Sequence, residues 1–217
     1  MYPILYNNLY CEGNDIKMNL ANKLTVFRII LVPIMVIVPF FNLQETLLNI
    51  PIEFLIMNII FIIASITDKL DGHIARSRNE ITTFGKFLDP LADKILVLAA
   101  MIVLVEKGLL PGIIPIIVIT REFIVSGYRL VAVQKSNEVI AASIWGKLKT
   151  VTQMIAVILA FININNTNIF GAFISGNLTG IELVVNILTT VFMVISTIAT
   201  VFSGWDYLKD SKKLFQD

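Results

Sequence analysis

The chain has 217 residues, of which 56% are hydrophobic and 15% charged, and its mean hydropathy of +0.81 excludes an ordinary soluble domain. Seventeen basic and sixteen acidic residues leave a net charge of +1, which gives no support to a nucleic-acid partner. The single cysteine, Cys11, has no partner in the chain for a disulfide.

Residues 1–17 are polar and irregular, and are expected to form an N-terminal extension to a membrane domain spanning 18–217. No cleavable signal peptide is expected, because the first long apolar run follows Lys23 and continues without a small-residue cleavage site. At ~1.5 Å of rise per residue against a ~30 Å hydrocarbon core, six segments are predicted to cross the bilayer. They lie at about 24–42, 50–72, 84–105, 109–134, 145–163 and 178–205. The expected fold is therefore all-α, a polytopic bundle of six transmembrane helices. Arg76, Arg78, Arg129, Lys135, Lys147, Lys209, Lys212 and Lys213 fall at alternate ends of these segments together with Lys17 and Lys23, whereas the opposite connections contain only Lys107. The positive-inside rule then places both termini and the 73–83 and 135–144 connections in the cytoplasm of a cell membrane. Two N-x-Thr sequences, at Asn165 and Asn177, match a glycosylation pattern but carry little weight in asparagine-rich loops.

Helices 3, 4 and 5 are apolar only in their outer halves. The inner half of helix 3 holds Lys86, Asp89, Asp93 and Lys94, helix 4 carries Arg121, Glu122 and Arg129 after a clean run, and helix 5 opens on Gly146-Lys147-Leu148-Lys149. An ionised side chain facing lipid at the helix centre costs roughly 2.5–3.5 kcal/mol, so these groups are expected to line a shared polar cavity open to the cytoplasm. Snorkelling accounts for Lys23, Lys69, Arg78 and the C-terminal lysines. It fails for the aspartates, whose short side chains do not reach the surface from a turn or two inside.

Four of those carboxylates form two pairs. Asp68 and Asp71 are three residues apart, Asp89 and Asp93 four, and each spacing puts both side chains on one helix face. Brought together, they make an oxygen-rich site whose charges would raise one another's pKa unless hard cations, Mg²⁺ or Mn²⁺, were bound. Gly72, Ala75 and Gly85 remove bulk beside the acids, and Arg76 adds a fixed cation suited to phosphate.

The run from Asp68 to Asp93 reads D-x2-D-G-x2-A-R-x8-G-x3-D-x3-D, and at every fixed position it resembles the signature of the CDP-alcohol phosphatidyltransferases. The resemblance implies a six-helix membrane bundle, usually a homodimer, in which Asp68, Asp71, Asp89 and Asp93 bind two divalent metals. It further implies that Gly72, Ala75, Arg76 and Gly85 form the CDP pocket and that Asp93 is the general base. His73 occupies a variable position of the motif and is not expected to be a ligand. Two cations beside a carboxylate suit such chemistry independently: they neutralise a pyrophosphate while the carboxylate takes a proton from an attacking hydroxyl, with CMP as leaving group.

The acceptor has to be read elsewhere. Arg121, Arg129, Lys135 and Lys147, with Lys149, crowd the inner ends of helices 4 and 5 and point to an anionic acceptor. The segments Asn19–Arg28, Thr120–Arg129 and Ile144–Thr150 with Gln153-Met154 resemble those of bacterial phosphatidylglycerophosphate synthases, which implies transfer from CDP-diacylglycerol to glycerol 3-phosphate. Tyr128 departs from the aliphatic residue expected at its position. An internal ion pair is the alternative reading of Arg121 and Glu122, and close packing that of Gly127 and Gly146. Rival functions are a sister enzyme using inositol phosphate, a cardiolipin synthase using phosphatidylglycerol, or, from another class, a cation transporter. The nearly unbroken Ile, Leu, Val and Phe of the outer half leave a transporter no polar pathway.

Overall fold

The computed structural model describes residues 20–77, 83–136, 144–174 and 176–214, with side chains described for 23–68, 91–129, 144–163, 165–174 and 176–209. The extension at 1–17 lies outside the described residues. The long helices are α1 (Leu20–Ile37), α2 (Ile52–Ser77), α3 (Thr83–Glu106), α4 (Ile113–Ser136), α5 (Ile144–Phe161) and α7 (Gly180–Leu214), with a single turn, α6 (Gly171–Ile174), before the last. Among the described residues, three stretches are long and apolar enough to cross a membrane: Lys23–Phe41, Ile144–Phe161 and Gly180–Lys209. The chain is a helical membrane protein.

The helices fall on the predicted segments, with shifts that local chemistry explains. Helix α4 begins at Ile113 rather than near 109, because Gly108, at a φ of +71°, and Pro111 place a turn there. Helix α2 continues through the aspartate motif to Ser77, and α7 runs past 205 to Leu214. The all-helical expectation needs one correction. Thr46–Leu47 and Ile50–Pro51 pair as a short antiparallel ladder, β1 and β2, closed by Leu48 and Asn49 at φ of 54° and 62°. Two successive positive φ values fit a turn whose twist matches that of paired strands.

The core lies toward the end of the bundle away from the aspartate motif. Phe161 of α5 packs against Phe54 and Phe61 of α2, with ring centroids 6.4 Å apart in both pairs. Met35, Met57, Leu96, Ala100, Met101 and Leu104 fill the space around them. Helix α5 packs most extensively on α7, where Ala156 and Ala160 on one helix and Ser196, Ala199, Thr200 and Ser203 on the other are small and buried. Small residues allow the backbones to approach closely where lipid removes the hydrophobic drive between helices. The outer connections are tied to one another: Lys107 pairs with Glu53 at 2.7 Å, Asn165 N–H donates to the Asn49 carbonyl at 3.0 Å, and Ile169 N–H to the Leu109 carbonyl at 2.9 Å. The inner ends of α3, α4, α5 and α7 instead surround a cavity.

Candidate active site

Helix α1 contributes the first member of the site. Arg28 is fully buried, its Nη1 lies 2.9 Å from Oδ1 of Asp68 on α2, and its Nε donates to the Ala64 carbonyl at 3.3 Å. An arginine inside an apolar helix needs such a partner, since burying the charge alone is costly. Sequence reasoning quoted Arg28 only as part of a resembling segment and gave it no role. Its position inside an otherwise apolar run was the available signal.

Asp93 of α3 is electrostatically coupled to Asp68, Arg28, Lys149 and Glu122, and its Oδ1 is buried with no hydrogen-bond partner among the described residues. Asp71, Gly72, Ala75 and Arg76 continue along α2, and Gly85 and Asp89 precede Asp93 on α3, but their side chains lie outside the described residues. Among the described residues no three His, Cys, Asp or Glu side chains gather into a metal centre. A buried carboxylate oxygen without a donor is nevertheless the kind of ligand a hard divalent ion takes. That oxygen of Asp93 suits the divalent ions that the motif implies.

Asp93 opens onto a cavity of about 510 Å³ between α3, α4, α5 and the inner end of α7. Among the described residues its charged lining consists of Lys94, Arg121, Arg129 and Lys149 against Asp93 and Glu122, four cations less two carboxylates. Glu122 organises three of the cations. Its Oε1 accepts from Lys149 Nζ and, at 3.0 Å, from Arg121 Nη1, while its Oε2 lies 3.4 Å from Lys94. Lys94 also donates to Ser126 Oγ at 2.6 Å. Arg121 Nη2 donates to Ser203 Oγ, and Arg129 Nη2 to the Tyr207 hydroxyl at 2.7 Å. Gln153, one turn beyond Lys149, donates to Met101 Sδ at 3.1 Å and so joins the cavity to the core.

The structure therefore brings Arg121 and Arg129 to the cavity, and the Arg121–Glu122 ion pair exists within it. Lys135 lies on α4 with its side chain outside the described residues. Lys147 is exposed and away from the cavity, and the lysine that α5 turns inward is Lys149, 6% exposed. Two residues along a helix is about 200° of rotation, so only one of the pair can face the chamber. The final helix, which the sequence marked only as apolar, supplies Ser203 and Tyr207, spaced by four on one face.

Inward-facing charges around a closed apolar core define a membrane protein with a built polar site rather than a passive anchor. The chain belongs to the CDP-alcohol phosphatidyltransferase family, whose model matches residues 18–203. It is 44% identical over 194 residues to the CDP-diacylglycerol–glycerol-3-phosphate 3-phosphatidyltransferase of Bacillus subtilis (strain 168), covering 87% of this chain and 93% of that protein. The enzyme of the same name from Haemophilus influenzae is 43% identical over 143 residues, 64% of this chain and 74% of its own. A probable phosphatidylglycerophosphate synthase of Mycobacterium tuberculosis is 34% identical over 190 residues, covering 88% and 80%.

Proposed function

We propose that this chain transfers the phosphatidyl group of CDP-diacylglycerol to sn-glycerol 3-phosphate, giving phosphatidylglycerophosphate and CMP. The observation that carries this reading is the placing of Asp93, with an unpartnered carboxylate oxygen, in one chamber with Arg121, Arg129, Lys149 and Lys94. A base and an anion-binding cluster side by side suit an acceptor that bears both a hydroxyl and a phosphate. The names of the relatives agree with it.

In this mechanism the cations hold the acceptor's phosphate while Asp93 removes the proton from one of its two hydroxyls. The hydroxyl oxygen bonds to the phosphorus that carries the diacylglycerol, the bond from that phosphorus to the CMP oxygen breaks, and CMP leaves. Asp68, Asp71, Asp89 and Asp93 would hold two Mg²⁺ or Mn²⁺ ions, which when bound supply counter-charge for the pyrophosphate. Gly72, Ala75, Arg76 and Gly85 would form the pocket for the cytidine diphosphate. The same reading has all six long helices spanning a cell membrane, the cavity facing the cytoplasm, and two copies associating as a homodimer.

The test is CMP release by purified protein from CDP-diacylglycerol with a panel of acceptors. Glycerol 3-phosphate should be preferred over serine, inositol phosphate and phosphatidylglycerol, and a preference for uncharged serine defeats the reading. Chelation by EDTA should stop CMP release and weaken donor binding, with both restored by Mg²⁺ or Mn²⁺. Donor binding indifferent to EDTA would contradict the two-metal pocket.

The cation cluster gives a sharper expectation. A lost charge-assisted hydrogen bond is worth roughly 1.5–3 kcal/mol, so Arg121→Gln or Lys149→Gln should lower acceptor kcat/KM about 10- to 150-fold. The donor's KM should scarcely change. Lys147→Gln, on the exposed side of the same helix, should behave much like the parent enzyme.

A further inference from the structure

Arg121 and Arg129 stand about two turns apart on α4, and one side chain of α7 joins them. Tyr207 is 4% exposed, and its ring centre lies 5.8 Å from Arg121 Cζ and 5.4 Å from Arg129 Cζ. Its hydroxyl accepts from Arg129, and its ring meets Tyr128 edge-on at 6.0 Å. One turn earlier, Ser203 accepts from Arg121, and a Cβ added at Gly204 would come 3.3 Å from Arg121 Cγ, so the backbone of α7 lies close against that arginine. Arg121 Nε is buried without a hydrogen-bond partner among the described residues. The family match ends at Ser203 and does not include Tyr207.

A carboxylate would hold both arginines but cancel their charge. Glu122 already offsets part of the charge of Arg121, whereas the hydroxyl and aromatic face of Tyr207 hold Arg129 and leave its charge available to an incoming anion. With Glu122 and Asp93 in the same chamber, an untethered Arg129 would be free to swing toward those acids. We propose that Tyr207 is the positioning residue that makes the cavity selective for a phosphorylated acceptor, by seating Arg121 and Arg129 so that both address one phosphate. This inference rests on the acceptor reading proposed above.

Steady-state kinetics of Tyr207→Phe and Tyr207→Leu in detergent micelles, with glycerol 3-phosphate or plain glycerol as acceptor, test it. Tyr207→Phe keeps the ring and loses the bond to Arg129, and should raise the KM for glycerol 3-phosphate roughly 3- to 10-fold. Tyr207→Leu loses both and should raise it about 10- to 100-fold. The KM for CDP-diacylglycerol should stay within about twofold, and any turnover of glycerol should fall far less than that of glycerol 3-phosphate. In an Arg129→Gln background, Tyr207→Phe should add nothing, which keeps the idea testable should the leucine variant fail to fold. A parent enzyme that uses glycerol 3-phosphate while both Tyr207 variants retain its KM overturns the role of Tyr207 alone, as does an equal loss with glycerol. A parent enzyme that ignores glycerol 3-phosphate overturns the acceptor reading and this inference with it.

Discussion

Asp93→Asn is expected to lower CMP release by about 10²- to 10⁴-fold, the usual contribution of a positioned general base. The amide is close in size and shape to the carboxylate, and Asp93 sits on a helix whose neighbours Ala92 and Leu96 are packed in the interior, so the chamber should keep its form. What changes is the ability of the buried oxygen to take a proton. Binding of the donor lipid, measured by titration, should survive, because Asp68 and the remaining motif acids are untouched. Near-normal turnover would remove Asp93 from the base role. A loss of donor affinity as large as the loss of rate would recast it as a metal ligand and nothing more.

The second large effect is on stability. Asp68→Ala removes the partner of an arginine that is wholly buried, while Asp68 itself keeps its side chain 32% exposed. Breaking one side of a fully buried pair costs about 3–5 kcal/mol. Because Asp68 is part-exposed and Arg28 still donates to the Ala64 carbonyl, the expected cost lies toward the lower end of that range. Thermal unfolding in detergent should therefore show a clear drop for Asp68→Ala, beyond any effect on activity. The double replacement Arg28→Leu with Asp68→Leu leaves no charge behind and should recover most of that stability while turnover stays lost. An Asp68→Ala protein that melts with the parent would mean that Arg28 is held by other means.

The contrast between those two residues shows what was legible in the sequence. The helices could be placed because apolar runs must be long enough to cross a bilayer, and the polar chamber because ionised groups in the inner halves of three helices have no other tolerable environment. The spacing of the aspartates points to two pairs, but the side chains of Asp71 and Asp89 lie outside the described residues. Angular detail was not: Lys147 and Lys149 satisfy the same hydropathy argument, and only packing of α5 against α7 decides that Lys149 faces inward. Ser203 and Tyr207 were missed for a different reason. A serine and a tyrosine inside an apolar helix look like ordinary packing residues until the arginines that they serve are brought opposite. Arg28 could have been found by the rule already applied to helices 3 to 5, since an ionised group within an apolar run demands a partner.

The length of the last helix has a consequence for where two unlike solutes meet. The stretch Gly180–Lys209 has 30 residues, about 45 Å of helix, well beyond the ~30 Å of hydrocarbon it has to cross. On the proposed membrane orientation its C-terminal turns, with Trp205 exposed and Tyr207 against the chamber, would reach the depth of lipid headgroups, where indole rings and lysines settle. On the proposed function, a dianionic acceptor dissolved in water would never enter oil, and a lipid carrying a nucleotide would never have to leave its leaflet. The chamber would then work as a phase boundary with walls: each reactant would remain in its own solvent, and only the two reacting atoms would share a compartment.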